Sequence, residues 1–127
     1  MTTESAGAPV TVAQEFFDRY RQALLDRDEA AVADLYAVPA LILFPGQSLP
    51  VTGRAQTERF FGSSWSQYEG VTDMTSDLRV AAATAHSIWA DVTWHHDGPG
   101  SGSERFVYQL VGTDDGWRIA VLTPMDV

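Results

Sequence analysis

Residues 104–123 read ERFVYQLVGTDDGWRIAVLT, in which two long apolar stretches flank the tripeptide Asp114-Asp115-Gly116. An acidic residue followed by glycine between two such stretches is typical of a tight β-hairpin. Because no helical pattern interrupts this part of the chain, the strands favour an antiparallel sheet and the α+β class over an alternating βαβ order. Strands are predicted over 104–113 and 117–123, and upstream of them over 71–84 and 85–96.

The first half of the chain is predicted to begin with a long amphipathic helix over 11–27. Apolar side chains recur at steps of three and four residues and form one stripe, which is the pattern of a helix buried on one side. Thr11 and Gln14 fit a capping box at its start. The residues of the stripe are Ala13, Phe16, Phe17, Tyr20 and Leu24.

Two further helices and a short strand are predicted before residue 71. Asp28 is a natural N-cap for a second helix, on whose buried face we expect Ala31, Val32, Leu35 and Tyr36. Pro45-Gly46 is a strong turn signal after an apolar run. The run gives a strand over 40–44, a returning segment follows over 49–51, and a third helix is predicted over 54–65.

The composition restricts the classes of partner and site. The chain has 127 residues, no cysteine, and eight basic against seventeen acidic residues, for a net charge of −9. The acidic balance argues against nucleic acid and anionic membranes as partners, since both require a basic surface. Without cysteine, thiolate metal sites and cysteine nucleophiles are excluded. We expect one cytoplasmic domain over 10–127 after a flexible N-terminus over 1–9, with no signal peptide.

Several segments together resemble the nuclear transport factor 2-like superfamily, and most closely its SnoaL-like and ketosteroid-isomerase-like branches. The resemblance rests on Phe16-Phe17, Tyr20, Ala23-Leu24, Arg27-Asp28 and Leu35-Tyr36, then on Gly53-Arg54, Phe60-Phe61 and Asp115-Gly116-Trp117-Arg118-Ile119. It implies a cone-shaped, curved antiparallel sheet with three helices on its concave face and a small-molecule cavity between them. It also implies a homodimer formed through the convex face of the sheet.

Comparison with ketosteroid isomerases implies a site from which the catalytic base has been lost. Tyr20 matches the tyrosine of helix one that holds the substrate oxygen in those enzymes. Phe44 occupies the position of the carboxylate base, and Tyr108 falls near the position of the second acid. A phenylalanine cannot abstract a proton, so we predict no steroid isomerisation by the usual mechanism of the family.

The strand over 85–96 separates into two faces because side chains alternate along a strand. The even-numbered residues, including Trp94, are predicted to face the cavity. Trp89 and Thr93 are predicted to lie on the convex face, where a second subunit would cover them. The predicted lining of the cavity is Tyr20, Phe44, Phe61, Trp94, Tyr108, Ile119 and Val121.

The residues that could take part in catalysis are few. Tyr20 and Tyr108 could hold a polar group, although Tyr20 on its apolar stripe also fits a purely structural role. His86 and His96 could act as bases if they face inward, since imidazole titrates near neutrality. Asp34 and Asp126 are the other acids of interest. His95 and His96 point to opposite faces and cannot share one ion, so neither a metal nor another cofactor is predicted.

Two functions remain open at the level of the sequence. The first is a SnoaL-like protein, either an enzyme or a binder, that acts on a small apolar ligand with a polar group. The second is a non-catalytic dimerisation or binding module whose cavity is filled by its own side chains. The two differ in whether Phe16, Phe17, Phe60, Phe61, Trp94 and Tyr108 leave space between them.

Overall fold

A computed structural model describes residues 8–98 and 102–125, which form three α-helices, one 3₁₀ helix and a six-stranded sheet. Residues 1–7, most of the predicted flexible N-terminus, lie outside the described residues, as does Asp126. No helix in the described ranges is both long and apolar enough to cross a membrane. The elements are α1 (Pro9–Leu25), α2 (Glu29–Ala33), β1 (Tyr36–Phe44), β2 (Gln47–Val51), α3 (Arg54–Gly62), the 3₁₀ helix (Trp65–Tyr68), β3 (Asp73–Ala83), β4 (Ser87–Asp97), β5 (Gly102–Thr113) and β6 (Gly116–Met125).

Helix α1 buries the predicted stripe but begins earlier than its sequence suggested. Pro9 stands at the first helical position, where its fixed φ angle suits a helix and its missing N–H is not needed. The predicted capping box at Thr11 and Gln14 is therefore wrong, because both residues already lie inside the helix. The helix buries Phe16, Phe17 and Tyr20 against the sheet, where it contacts β3 and β4.

The second helix is capped as predicted but is shorter. The Asp28 carboxylate accepts a hydrogen bond from the Ala31 N–H at 3.0 Å, and the helix ends at Ala33. Leu35 and Tyr36 were expected on its buried face, and that expectation is wrong. The Leu35 carbonyl instead accepts from the Ile119 N–H at 2.8 Å, so the backbone joins the sheet at this point.

The third helix also ends early. The hydroxyl groups of Ser63 and Ser64 both donate to the Phe60 carbonyl, at 2.9 and 2.8 Å, and so satisfy a carbonyl near the end of the helix. The chain then turns into the 3₁₀ helix, which carries Trp65 and Tyr68. The single helix predicted over 54–65 is thus two elements.

The sheet confirms the predicted fold class, with one difference in strand direction. Its order is β2-β1-β6-β5-β4-β3, and every pairing is antiparallel except that of β1 with β6, which is parallel. The hairpin at Asp114-Asp115 is formed as predicted, and Gly116 adopts a φ of 109° that favours glycine. The molecule is an α+β structure in which helices pack with a curved, open and mixed sheet.

A β-bulge in β6 changes which of its residues face the helices. Leu110 pairs with Ile119, whereas the preceding Gln109 pairs with Val121, so one extra residue, Ala120, is inserted in β6. Side chains on either side of a bulge no longer follow one alternation. As a result Ile119 and Leu122 are buried, while Val121 lies on the other face.

Candidate functional site

A cavity of about 560 Å³ lies between the concave face of the sheet, α1, α3 and the 3₁₀ helix. Its inner end consists of buried side chains and its outer end of exposed ones, so it opens to solvent at one side. The inner part is formed by Tyr20, Leu24, Phe61, Met74, Trp94, Tyr108 and Leu122; the outer part and walls are formed by Phe44, Phe60, Ser63, Ser64, Gln67, Tyr68, His96, Gly102, Ser103, Glu104 and Phe106.

Hydrogen bonds between aromatic side chains organise the floor of the cavity. The Trp94 indole N–H donates to the Tyr108 hydroxyl at 3.0 Å. The hydroxyl groups of Tyr20 and Tyr36 are 2.9 Å apart, and either one can be the donor. All four side chains are less than 5% exposed. Elements from both halves of the sequence, α1 and β1 on one side and β4 and β5 on the other, therefore meet at this floor.

The buried phenols remain neutral in the folded protein. Burial raises the pKa of Tyr20 well above its usual value, and the neighbouring phenol of Tyr36 raises it further. Burial likewise raises the pKa values of Tyr36 and Tyr108 well above the usual value. A neutral phenol is a hydrogen-bond donor. The floor can therefore donate to an oxygen atom of a ligand but cannot take a proton from it.

The structure brings five of the seven predicted lining residues together and leaves two out. Tyr20, Phe44, Phe61, Trp94 and Tyr108 all line the cavity. Ile119 and Val121 do not. Ile119 is fully buried in the core and does not reach the cavity, whereas the bulge at Ala120 turns Val121 to the other face, so that Leu122 lines the cavity.

The mouth of the cavity carries a histidine next to a carboxylate. His96 Nε2 lies 3.5 Å from Glu104 Oε1, and the imidazole ring stacks on Tyr68 with centroids 6.0 Å apart. The His96 side chain is 13% exposed, while that of Glu104 is 55% exposed. Burial raises the pKa of Tyr68 to about 12, and the Glu104 carboxylate adds to this. Of the predicted catalytic candidates, His96 thus lies in the cavity beside Tyr20 and Tyr108.

His86 and Asp34 lie away from the cavity. His86 is exposed in the turn between β3 and β4, so the expectation that it faces inward is wrong. It precedes the first residue of β4, and the alternation of the strand does not extend to it. Asp34 forms an ion pair with Arg54 at the surface. Within residues 8–98 and 102–125, no three histidine or acidic side chains are grouped closely enough to hold a metal ion.

The aromatic side chains surround the cavity without filling it. Phe16 and Phe17 pack against each other, and Phe17 contacts Tyr108 with ring centroids 4.7 Å apart. On the other side, Phe60 and Phe61 pack together at 5.1 Å. The two groups are connected through Tyr20 and Tyr36, whose centroids are 6.1 Å apart, while Tyr36 contacts Phe61. The open volume lies between them.

Several lining residues were not singled out from the sequence. Glu104 and Phe106 have the same parity as Tyr108 along β5, so the alternation of that strand was a signal for both. Tyr68 carried no such signal, because it lies in a 3₁₀ helix of four residues without a regular repeat. Its place at the mouth follows from tertiary contacts, including the hydrogen bond from Trp65 to Glu29 at 3.0 Å.

The convex face of the sheet has a different character. Trp89, Gln109, Val121 and Leu41 lie side by side across four strands, and Trp89 is 37% exposed. In the same face Asp91 is 8% exposed and accepts two hydrogen bonds from Arg105, at 2.9 and 2.7 Å. The predicted interface residue Thr93, next along β4, is half-buried.

Comparison with solved structures shows the same fold in proteins of low sequence identity. An NTF2-like protein of unknown function from Shewanella oneidensis has a TM-score of 0.76 at 13% identity, over 94% of this chain and 100% of that one. A domain of unknown function with a cystatin-like fold from Nostoc punctiforme has a TM-score of 0.74 at 16% identity, over 98% and 78%. A candidate ketosteroid isomerase from Shewanella frigidimarina has a TM-score of 0.73 at 16% identity, over 94% and 97%.

At sequence identities this low, the likeness to solved structures shows the fold alone. The family is shown by comparison of the sequence with family models. No curated protein is similar enough in sequence to count as a match. The family model described as NTF2-like protein (DUF6841) matches residues 9–127, which is nearly the whole chain and includes every residue of the cavity. The superfamily expected from the sequence is thereby confirmed, and the chain belongs to this family of NTF2-like proteins.

Proposed function

We propose that the protein binds a small, largely apolar ligand in the cavity on the concave face, through a polar group that accepts hydrogen bonds from the floor. The observation that carries the proposal is an open cavity of about 560 Å³ with neutral phenols at its inner end. Ligand sites in proteins are commonly about 300–1,000 Å³, mainly apolar, with a few convergent polar groups. This cavity lies within that size range, with a mainly aromatic and apolar inner part and a polar mouth.

The floor is suited to orient a carbonyl or hydroxyl oxygen. The Tyr108 hydroxyl already accepts from Trp94, so its own proton is available to donate. Tyr20 lies close by, with ring centroids 5.9 Å apart. Donors held in place before the ligand arrives cost little reorganisation on binding. We therefore place the polar group of the ligand at Tyr108 and Tyr20.

The residues support the binding part of a SnoaL-like function. They do not support the abstraction of a proton at the floor of the cavity. Phe44 lines the cavity at the position where the isomerases carry their base. Because their pKa values are raised, the phenols stay protonated at neutral pH, and a protonated phenol cannot accept the proton of a substrate. The likeness to the Shewanella frigidimarina protein therefore extends to the fold and does not by itself support a shared reaction.

A screen of ligands with matched variants tests the proposal. Thermal melting and tryptophan fluorescence would be followed with apolar ketones, polyketide-like aromatic compounds and fatty acids. We expect members of at least one class to raise the melting temperature and change the emission. Ser64→Trp, which places an indole in the lining, should abolish the effect, whereas Ser66→Trp, in an exposed position outside the lining, should not. If no compound has an effect, the proposal is wrong.

We also propose a homodimer formed through the convex face, which is the partner expected from the sequence. The supporting observation is the row of Trp89, Gln109, Val121 and Leu41 across the outer surface of the sheet. A large apolar side chain exposed within a sheet face is typical of a surface that a partner covers. Dimerisation through this face leaves the cavity open and is compatible with ligand binding.

A further inference from the structure

The described lining of the cavity contains one carboxylate and one imidazole but no guanidinium. Among its described lining residues, Glu104 is the only acidic side chain and none is an arginine. Arg27 contacts the backbone of Tyr68, but its guanidinium donates to the carbonyls of Leu25, Tyr68 and Val71. Arg21 is likewise bound, to Asp73 and to the Met74 carbonyl. A ligand at the mouth would therefore meet a carboxylate that no arginine of the described residues pairs with, and whose neighbour is the His96 imidazole.

The walls next to this carboxylate are aromatic. Phe44 and Phe60 pack at 5.7 Å between centroids, and Phe106 contacts Tyr108 at 5.8 Å. Tyr68 lies at the mouth beside His96. The faces of aromatic rings carry partial negative charge and attract cations, and cages of such rings are a common way to bind ammonium groups. The rings and the carboxylate thus both favour a positively charged group on the ligand.

The Glu104 carboxylate remains available to a ligand. Its side chain is 55% exposed, and among the described residues its one charged or hydrogen-bonding neighbour is His96, whose Nε2 lies 3.5 Å away. A charged hydrogen bond at full strength is about 2.7–2.9 Å long, so the contact with His96 is weak. The Glu104 carboxylate can therefore pair with a charged group of a ligand.

From these observations we propose that the ligand carries a positively charged amine on its apolar body, with the amine at Glu104 and the body among the aromatic rings. The inference rests on the proposed ligand-binding function and specifies its chemical class. Carboxylic acids, fatty acids among them, are disfavoured because their charge would face Glu104. A neutral ligand remains able to bind, but more weakly than its ammonium counterpart.

Three compounds that share one ring system test the inference: naphthylmethylamine, naphthylmethanol and naphthoate, measured by titration calorimetry. We expect the amine to bind about threefold to tenfold more tightly than the alcohol, the range for a partly exposed ion pair with a cation–π contribution. The acid should bind more weakly than the alcohol. This comparison uses the unaltered protein and does not depend on how any variant folds.

Two substitutions that each remove one negative charge separate a local effect from a global one. Glu104→Gln should remove the advantage of the amine over the alcohol. Glu15→Gln removes the same charge from an exposed position on α1, away from the cavity, and should preserve the advantage. Equal loss in both variants would overturn the inference, because the net charge of −9 would then explain the preference.

The outcomes also separate the inference from the proposed function. If amine and alcohol bind with equal affinity, the charge inference fails and the cavity remains a ligand site. If none of the three compounds binds and the broader screen also finds nothing, it is the ligand-binding function that fails.

Discussion

Tyr108 links the stability of the protein to its proposed function. Its hydroxyl accepts the buried Trp94 N–H and at the same time lines the cavity. A buried donor that loses its acceptor costs about 1–3 kcal/mol, whereas most surface changes stay within about 0.5 kcal/mol. The hydroxyl oxygen of Tyr108 therefore contributes to stability and to the proposed ligand binding, and the two contributions can be measured separately.

Replacing Tyr108 by Phe should lower the free energy of unfolding by about 1–3 kcal/mol, because the Trp94 N–H is left without its partner. It should also weaken binding of any ligand oxygen at the floor by up to about tenfold. Urea denaturation and ligand titration measure the two effects. Tyr68→Phe is the matched control, since no hydrogen bond from its hydroxyl is found among the described residues. Equal effects of both substitutions would contradict the role given to Tyr108.

Asp91 should make stability depend on pH in the acid range. Hydrogen bonds from Arg105 lower the pKa of Asp91 from 3.8 to about 2, against the opposing effect of burial, and Arg79 adds to the lowering. Because the folded pKa lies below the unfolded one, this stabilisation is complete above about pH 4. It is lost as the pH falls toward about 2.

Comparison of Asp91→Asn with the unaltered protein tests this directly. At neutral pH the substitution should cost about 1–3 kcal/mol, since two arginines lose their charged acceptor. The difference between the two proteins should shrink as the pH falls from 4 to 2. Asp77→Asn, on an exposed carboxylate of the same face, should cost less than about 1 kcal/mol. A difference for Asp91→Asn that does not change with pH would contradict the assignment.

The segment between α3 and β3 forms the wall of the mouth and is held by a few contacts. Arg27, at the end of α1 with a φ of 49°, donates to the carbonyls of Tyr68 and Val71. Trp65 donates to Glu29 from the same segment. The shape of the mouth therefore depends on two side chains that are far from this segment in sequence, Arg27 just after α1 and Glu29 at the start of α2.

Replacing Arg27 by Ala should loosen this segment while leaving the sheet intact. Amide hydrogen exchange should become faster over residues 65–71 and remain slow in β4 and β5, because the lost bonds involve only the segment. Exchange measured by mass spectrometry gives the result, and Arg59→Ala, at an exposed position of α3, is the control. Faster exchange over the whole chain would show that Arg27 supports the fold in general.

The sequence predicts the orientation of side chains in an element where apolar residues recur with a regular period, and fails where no such period exists. The stripe of α1 and the alternation of β4 and β5 placed Tyr20, Trp94 and Tyr108 correctly. The bulge at Ala120 could not be predicted, since nothing in the run Ile119-Ala120-Val121-Leu122 marks an inserted residue. The end of α2 depends on a hydrogen bond to Ile119, more than eighty residues away, and local pattern carries no information on it.

For the whole molecule, the convex face is the expected site of self-association. Trp89→Glu replaces the most exposed large apolar side chain of the row by a charge and should convert a dimer to a monomer. Light scattering at micromolar concentration measures the mass. Val10→Glu, which alters a similarly exposed apolar residue on α1, is the control and should leave the mass unchanged. A monomeric unaltered protein would contradict the proposed dimer.

The parallel pairing of β1 with β6 has a consequence for how the protein is made in the cell. Since β6 lies between β1 and β5, it is the strand that joins the N-terminal elements to the β3–β5 part of the sheet. Until it leaves the ribosome, the facing edges of β1 and β5 have no neighbour. Unpaired apolar edges invite association between chains, and contacts between distant segments form slowly. The nascent chain should thus depend on chaperones until β6 is synthesised, and the two parts of the sheet should then join in one late step.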